Sequence, residues 1–317
     1  MRPEQADQAG ETGKSLANES QARWRMPYAE KPRFIQLETV TKCNAKCPFC
    51  PQNEIVRDPA RMPEETWKKI IDDTRGWGLT YRPFLTNEPF VDNRMPEIVR
   101  YIKENDSTAR VEFNTNGELV TEKLGLALLE AGVDIMRFSI DGFSRETYEP
   151  SRIGIDFEKV MTRTQRFLEL WGEGGYRDKV FTELRMIEVP ENKHEVAAYR
   201  DFWGPRCSEV LITTMYQWPW TGQKREDVVL KPCLKVLDEM FFYSNGNATI
   251  CCWDVHERAV VGNVNEQSVA EIWESYAARC MRATLDDGRR DLLNLCSRCN
   301  AYQDYDFSRF ANDGGKG

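Results

Sequence analysis

The feature that most restricts the fold is a regular alternation of strand-like and helix-like segments between residues 34 and 213. β-Branched and aromatic runs predict strands at 34–40, 81–85, 110–114, 134–139, 180–189 and 209–213. Helical spacing of apolar residues predicts helices at 64–74, 95–104, 122–131, 157–171 and 195–203. Strands separated by helices pair in parallel through right-handed crossovers. The sequence therefore predicts an α/β fold, with too few units for a complete eight-stranded TIM barrel.

Three cysteines with C-x3-C-x2-C spacing, Cys43, Cys47 and Cys50, follow the first predicted strand. Thiolates this close together in a chain without an export signal are more often metal ligands than disulfide partners. A structural zinc site needs a fourth ligand, but the next cysteine is Cys207 and both histidines lie far along the chain. Three ligands on a short loop suit a 4Fe–4S cluster with one open iron. A plain electron-transfer loop or structural metal loop remains an alternative.

Composition narrows the classes of partner. A net charge of −8 argues against a broad phosphate-binding surface and hence against nucleic acid. No apolar run approaches the roughly 20 residues of a membrane span, and the N-terminus lacks a signal-peptide core. Ten cysteines then favour metal ligation in a reducing cytoplasm. Residues 1–30, polar and without periodicity at their start, are expected to form a flexible tail.

A second cysteine set follows the last predicted strand. Two β-rich runs flank an Asn-Gly pair within 240–251, which predicts a hairpin, and a helix is predicted at 269–279. Four thiols surround these elements: Cys233, Cys251, Cys296 and Cys299. Four cysteines can ligate one 4Fe–4S cluster, and a four-cysteine zinc site fits the count equally well.

The first cysteine loop, with Phe49 before its last cysteine, resembles that of the radical S-adenosylmethionine (radical SAM) enzymes. The resemblance implies a partial (β/α)6 barrel of TIM type. It also implies that the open iron chelates the amino and carboxylate groups of S-adenosylmethionine. Electron transfer then cleaves the sulfonium to a 5′-deoxyadenosyl radical that abstracts hydrogen from an unactivated C–H bond. Cluster and cofactor supply this chemistry, while the protein positions them and excludes water.

Turns at three predicted strand ends are similar to the family's cofactor turns. Glu88 and Pro89 match a Gly-Gly-Glu-Pro-like turn whose backbone and glutamate receive the cofactor ammonium, although Thr86 and Asn87 replace the glycines. Thr-Asn-Gly and Ser-Ile-Asp-Gly turns follow the next two strands, and arginines further on could bind a carboxylate bidentately or simply be solvated. The cofactor-binding residues implied are Glu88, Asn114, Asn116, Ser139, Asp141, Arg152 and Arg185.

The second cysteine set resembles the SPASM extension in its shortened twitch form, which carries one auxiliary 4Fe–4S cluster. Its spacing is similar to that of a radical SAM dehydrogenase acting on an aminocyclitol. This resemblance favours iron–sulfur over zinc. The expected organisation is a tail at 1–30, a barrel at 31–224, an auxiliary-cluster module at 225–300 and a tail at 301–317.

Three cysteines belong to neither set. Cys207 and Cys280 are expected to be small buried hydrophobic residues. Cys252 adjoins an expected ligand, and some radical SAM epimerases return a hydrogen atom from such a thiol.

The expected reaction is dehydrogenation of a carbinol in a sugar, aminoglycoside or cyclitol to a ketone, with the auxiliary cluster accepting an electron. Alternatives are epimerisation with Cys252 as hydrogen donor, or modification of a peptide. Only about 30 residues precede the barrel, too few for a peptide-recognition domain. A two-cluster electron-transfer protein would leave the cofactor turns without purpose. An external donor such as flavodoxin or ferredoxin is expected, and the aromatic stretch 216–220 is expected to pack between barrel and module.

Overall fold

The computed structural model describes residues 28–215, 233–297 and 299. Its strands are β1 (Phe34–Leu37), β2 (Thr80–Arg82), β3 (Arg110–Thr115), β4 (Ile135–Ser139), β5 (Phe181–Glu188), β6 (Glu209–Thr214), β7 (Glu239–Phe242), β8 (Asn247–Thr249) and β9 (Gly262–Asn263). Its α-helices are α1 (Glu64–Asp73), α2 (Met95–Asn105), α3 (Glu122–Ala131), α4 (Arg145–Ser151), α5 (Phe157–Glu173), α6 (Val196–Trp203), α7 (Leu234–Asp238), α8 (Val269–Trp273) and α9 (Tyr276–Asp286).

Among the described residues, the strands form one sheet in the order β6-β5-β4-β3-β2-β1-β7-β8-β9. Strands β1 to β6 pair in parallel with their sequential neighbours, as βαβ connections require. The predicted partial α/β barrel is confirmed. Parallel strands in this order place the C-terminal ends of β1 to β6 at one edge, where loops can meet.

The hairpin that follows the barrel extends the barrel's own sheet. Strand β7 pairs in parallel with β1, from Phe34 opposite Glu239 to Leu37 opposite Phe242. Strands β8 and β9 then continue antiparallel. Because Cys251 lies just beyond β8, this pairing brings the second cysteine set beside the strand that leads to the first.

One predicted helix, 269–279, is wrong as a single element. Two helices replace it, α8 and α9, and Ser275 lies between them. The Ser275 hydroxyl accepts a hydrogen bond from the Ala278 amide at 3.2 Å, so it caps a new helix start. Residues 1–27 of the expected tail at 1–30, the expected tail at 301–317 and the aromatic stretch 216–220 lie outside the described residues. Residues 28–30 are described, and the Ala29 amide donates to the Leu237 carbonyl at 3.0 Å.

The two faces of the barrel sheet differ in chemistry. Ile35, Val111 and Met136 are fully buried in the core that also contains Trp67 and Ile98 of the surrounding helices. The alternate strand positions include the charged side chains of Glu112, Arg137 and Glu183. In the described part of the chain, no helix combines the length and apolarity needed to cross a bilayer.

Candidate active site

A cavity of about 320 Å³ lies at the C-terminal edge of the barrel strands. It brings together the three-cysteine loop after β1 and the turns after β2, β3 and β4. The lining includes Cys43, Ala45, Cys47, Cys50, Pro51, Phe84, Leu85, Thr86, Asn87, Glu88, Asn114, Thr115, Asn116, Ser139 and Arg152. Five of the seven predicted cofactor residues therefore face one space, while Asp141 and Arg185 are not part of its lining.

The three-cysteine loop is fastened to the turn after β3. Asn116 Nδ2, in the side-chain amide, donates to Asn44 Oδ1 at 2.8 Å. Asn44 Nδ2 in turn donates to Glu118 Oε2 at 2.7 Å. The Lys46 amide also donates to the Ile153 carbonyl at 2.8 Å. Sequence reasoning missed Asn44 and Glu118, since neither belongs to a turn motif, yet together they hold the cysteine loop over the strand ends.

The loop thiols are partly withdrawn from water. Burial raises the pKa of Cys43 to about 12. A hydrogen bond from the Ala45 amide to Sγ at 3.4 Å acts in the opposite direction and lowers it. Burial also raises the pKa of Cys47 and Cys50. Thiols with raised pKa values must release protons when a metal binds, so loading of the cluster depends on pH. No three His, Cys, Asp or Glu side chains in the described chain form a single-ion site, whereas a 4Fe–4S cluster takes each thiolate on a separate iron.

Glu88 is buried against the turn after β3. Its carboxylate accepts hydrogen bonds from the Thr115 hydroxyl at 2.7 Å, the Asn116 amide at 2.9 Å and the Phe90 amide at 3.3 Å. Burial nevertheless raises the pKa of Glu88 to about 7. A carboxylate has about four acceptor positions, so three internal donors leave one for a ligand in the cavity.

Arg152 caps α4, a short helix that sequence reasoning missed, and reaches back to the cysteine loop. Its Nε donates to Asp141 at 2.8 Å, and its Nη1 lies 3.7 Å from Cys47 Sγ. The guanidinium also lies 5.4 Å from the centre of the Phe49 ring. The other carboxylate oxygen of Asp141 accepts a hydrogen bond from the Ile187 amide at 2.8 Å. Asp141 thus orients Arg152 from behind the cavity rather than facing a ligand.

The remaining predicted cofactor residues occupy different places. Asn116 lines the cavity, but its side chain is already bonded to Asn44 and accepts from the Glu118 amide. Ser139 ends β4 at the cavity wall. Arg185 lies opposite Ser139 on β5, one strand farther from the cysteine loop.

The cavity contains buried polar atoms without partners in the described structure. They are Thr86 Oγ1, Asn87 Nδ2 and Asn114 Oδ1, and all three residues line the cavity. Unpaired buried polar atoms cost free energy unless a ligand satisfies them. A hydroxyl, an amide donor and an amide acceptor, with Arg152 beside three thiols, fit a cluster-bound S-adenosylmethionine.

The second thiol set also converges. Cys251 interacts electrostatically with Cys233 and Cys296, and Cys296 interacts with Cys233 and Cys299. Burial raises the pKa of Cys251 well above that of a free thiol, and the pKa of Cys296 to about 12. The four predicted ligands therefore lie near one another, although they come from α7, the hairpin and the end of the described chain.

Comparison with known proteins decides the family. Residues 37–202 match the radical SAM superfamily, and residues 233–300 match SPASM, an iron–sulfur cluster-binding domain. The chain belongs to the radical SAM superfamily. It is therefore a radical SAM enzyme that binds S-adenosylmethionine and a 4Fe–4S cluster, with an iron–sulfur rather than a zinc domain after the barrel.

Relatives of this radical SAM chain have varied functions. A S-adenosyl-L-methionine-dependent 2-deoxy-scyllo-inosamine dehydrogenase of Niallia circulans is 23% identical over 276 residues, 84% of this chain and 92% of that protein. A GTP 3′,8-cyclase of Chlorobaculum tepidum is 27% identical over 135 residues, 43% of this chain and 41% of the cyclase. The second match covers less than half of either protein, whereas the first spans both proteins almost from end to end.

Solved structures share the fold. BtrN in complex with AdoMet and 2-DOIA has a TM-score of 0.58 at 19% identity, covering 84% of this chain and 92% of BtrN. Streptococcus suis SuiB bound to precursor peptide SuiA has a TM-score of 0.65 at 11% identity, covering 96% of this chain and 84% of SuiB. One fold thus accommodates both a small molecule and a peptide, so fold alone does not choose the substrate.

A buried ion-pair cluster, missed from the sequence, joins the two cysteine regions of this radical SAM enzyme. Arg57 Nη1 and Nη2 each lie 2.7 Å from a Glu38 oxygen, and Nη1 lies 3.0 Å from Glu257. The same guanidinium lies 5.0 Å from the centre of the Tyr243 ring, and the Ser244 amide donates to Glu38 at 3.3 Å. Glu38 and Arg57 flank the barrel cysteine loop, while Glu257 follows the auxiliary cysteines. We call these three residues the Arg57 clasp.

A second feature missed from the sequence is a row of charged side chains inside the barrel, which we call the charged layer. It comprises Lys235, Glu239, Arg82, Glu112, Arg137, Glu183 and Arg185. The sequence did contain a signal for the charged layer, because charged residues stand at alternate positions within otherwise apolar strands. Such alternation indicates a strand with one polar face.

Carboxylates in the charged layer are bridged by cations. Glu112 accepts from Arg82 Nε at 3.0 Å and from Arg137 Nη1 at 2.9 Å. Glu239 lies 2.9 Å from Lys235 Nζ and 3.8 Å from Arg82 Nη1. Burial favours the neutral acid, but the two arginines hold the pKa of Glu112 below its usual value. Glu112 is therefore ionised, and both carboxylates already have cationic partners.

The cysteines outside the two sets have separate surroundings. Cys207 is half-buried, and its Sγ lies 3.2 Å from both the Trp203 and the Glu209 carbonyl oxygen, so the thiol can donate to either. The prediction that Cys280 is buried is wrong, because it is exposed on α9. Burial raises the pKa of Cys252 to about 12, and its charged neighbours include Lys235 in the charged layer.

Proposed function

We propose that this enzyme oxidises a carbinol carbon of a sugar, aminoglycoside or cyclitol to a ketone, with one auxiliary 4Fe–4S cluster as electron acceptor. The observation that carries the proposal is the pairing of β7 with β1, which places a second set of thiols beside the barrel that holds the cavity. The Niallia circulans relative, named a 2-deoxy-scyllo-inosamine dehydrogenase, supports this reaction class. In this proposal the barrel cluster is ligated by Cys43, Cys47 and Cys50, and the auxiliary cluster by Cys233, Cys251, Cys296 and Cys299.

Residues of this chain hold the cofactor and exclude water. Bound S-adenosylmethionine and its cluster supply a carbon radical that removes hydrogen from an unactivated C–H bond. Arg152, oriented by Asp141, offers its guanidinium to the cofactor carboxylate. Glu88 offers its fourth acceptor position to the amino group. Asn114 and Ser139 border the side on which substrate must lie.

The balance of the reaction explains the second cluster. Conversion of a carbinol to a ketone removes one hydrogen atom from carbon, one proton from oxygen and one electron. The hydrogen atom would go to the radical that the bound cofactor supplies and the proton to solvent. The electron would go to an auxiliary cluster held by Cys233, Cys251, Cys296 and Cys299. Reduction of the barrel cluster needs an external donor, for which we propose a flavodoxin or ferredoxin.

The proposal is tested with anaerobically reconstituted enzyme, S-adenosylmethionine, dithionite and a panel of sugars, aminoglycosides and cyclitols. We expect 5′-deoxyadenosine and a product two mass units lighter than its substrate. The product should form in equal amount to 5′-deoxyadenosine. If 5′-deoxyadenosine forms while every alcohol is recovered unchanged, the oxidation proposal is refuted.

Epimerisation is the second candidate, favoured by the position of Cys252. This thiol has Lys235, Glu239 and Arg82 of the charged layer among its neighbours, so it lies toward the barrel interior. A thiol there could return a hydrogen atom to a substrate radical. In deuterated water an epimerase would place deuterium on carbon, and Cys252→Ala would abolish product. A ketone without label would exclude this candidate.

A further inference from the structure

The charged layer has one more cation than carboxylates, and its two ends differ. Glu183, like the other two carboxylates, lies between two cations, here Arg137 Nε at 3.6 Å and Arg185 Nε within hydrogen-bonding distance. Lys235 ends the row beside Cys252, near the auxiliary thiols. Thiolates there would balance its charge. Arg185 ends the row at the barrel opening, and the described part of the chain offers it no second counter-charge besides Glu183.

The Arg185 guanidinium has unused donors. Its Nε donates to Glu183, and its two Nη groups have no partner among residues 28–215, 233–297 and 299. Its side chain is 34% exposed, against 16% for Arg137 deeper in the row. Glu209, the Cα neighbour of Glu183 on β6, is exposed and forms no ion pair with the charged layer in that part of the chain. The outer edge of Arg185 is therefore open to a ligand.

Arg185 lies one strand beyond the wall of the cofactor cavity. Its Cα partner on β4 is Ser139, which forms the wall of the cofactor cavity farthest along the sheet from the cysteine loop. A substrate must contact the cofactor to lose hydrogen, so it meets the next strand, β5. The nearby carboxylates cannot offer an ammonium group a free partner, since Glu112 and Glu183 are each about 95% buried between two arginines.

We propose that Arg185 is a specificity-determining residue and that the substrate carries an oxyanion, either a carboxylate or a phosphate, in addition to the carbinol. This inference rests on the proposed function and narrows its substrate class from polyols in general to acidic ones. A guanidinium with two free Nη groups binds such an anion through paired hydrogen bonds. Its single bond to Glu183 fixes the plane of the group in advance.

The test is calorimetric binding to the reconstituted enzyme with S-adenosylmethionine bound and no reductant. Glucose, glucosamine, glucuronate and glucose 6-phosphate form a matched set that differs in charge. We expect glucuronate or glucose 6-phosphate to bind at least about tenfold more tightly than glucose, and glucosamine no more tightly than glucose. Which of the two acids binds better distinguishes a carboxylate from a phosphate site.

Variants make the assignment specific. Arg185→Gln should abolish the preference for the acid, Arg185→Lys should retain part of it, and Arg200→Gln, at an exposed arginine of α6, should retain it all. Unchanged S-adenosylmethionine binding checks that each variant is folded. Equal affinity for glucose and the acids, no binding by any of the four, or an acid preference that survives Arg185→Gln would overturn the inference. Because no turnover is needed, acid binding without alcohol oxidation would refute the proposed function alone.

Discussion

The two thiol sets of this radical SAM enzyme are assembled in opposite ways. Cys43, Cys47 and Cys50 lie in one loop directly after β1, so a short piece of chain delivers all three. The auxiliary thiols come from the start of α7, the end of the hairpin and the end of the described chain. The first set needs only a loop held over the strand ends, whereas the second exists only after the hairpin has paired with β1.

Their surroundings differ as well. The barrel thiols open onto a cavity with unpaired polar atoms, as a site that accepts a small molecule requires. The auxiliary thiols interact mainly with one another, and Cys296 also interacts with the buried side chains of Arg290 and Asp254. Open surroundings suit substrate chemistry, and closed surroundings suit storage of an electron. The following predictions test this contrast in order of expected effect.

Cys43→Ala should give the largest effect. We expect iron content to fall from about eight to about four per chain. 5′-Deoxyadenosine formation should fall by at least about a thousandfold, because the cofactor loses its cluster. Iron analysis and chromatography of anaerobic reactions measure both, with Cys280→Ala on the exposed face of α9 as the matched control. Normal cleavage in the Cys43 variant would contradict the assignment of the barrel thiols.

Cys233→Ala should give the reverse pattern. About four irons should again be lost, yet some 5′-deoxyadenosine formation should remain, since the barrel loop is intact. Loss of a metal that holds distant segments together removes folding free energy. Hydrogen exchange should therefore quicken across Glu239–Phe242 and Asn247–Thr249 more than in the barrel. An equal increase of the exchange rate in the barrel and in the hairpin would show that the two cluster sites do not stabilise separate regions.

Arg57→Met should weaken the connection between the two regions. Glu38 is fully buried and would lose its bidentate partner, which costs about 2–3 kcal/mol of unfolding free energy given that Arg57 is partly exposed. Anaerobic thermal or urea unfolding measures the loss. The control is Arg75→Met, whose ion pair with Asp72 is exposed and should contribute less than about 1 kcal/mol. If the two variants lose equal stability, the Arg57 clasp is not the connection.

The smallest expected effect is the pH dependence of cofactor binding. Burial raises the pKa of Glu88 to about 7, so its carboxylate becomes ionised as pH rises through that value. An ionised Glu88 can accept a hydrogen bond from the cofactor amino group. S-adenosylmethionine should therefore bind several-fold more tightly at about pH 7.5 than at about pH 6, on either side of that pKa. Calorimetry on reconstituted protein should find this slope reduced in Glu88→Gln. A slope of the same size in both proteins would assign it to another group.

Local patterns in the sequence determined most of the barrel. The helix predicted at 122–131 matches Glu122–Ala131, and the strand predicted at 209–213 is observed as Glu209–Thr214. The three predicted cysteines and five of the seven predicted cofactor residues line the cavity. Asp141 and Arg185 were also predicted but are not part of its lining. These features could be read because periodicity and short spacings act between residues close in the chain.

Only the tertiary structure decided which distant residues meet. The pairing of β7 with β1, the Arg57 clasp and the charged layer join segments separated by tens to hundreds of residues. The role of Asp141 likewise changed from facing a ligand to orienting Arg152 once α4 brought that arginine back. Such contacts depend on strand order, register and side-chain direction together, and no short stretch of sequence contains that information.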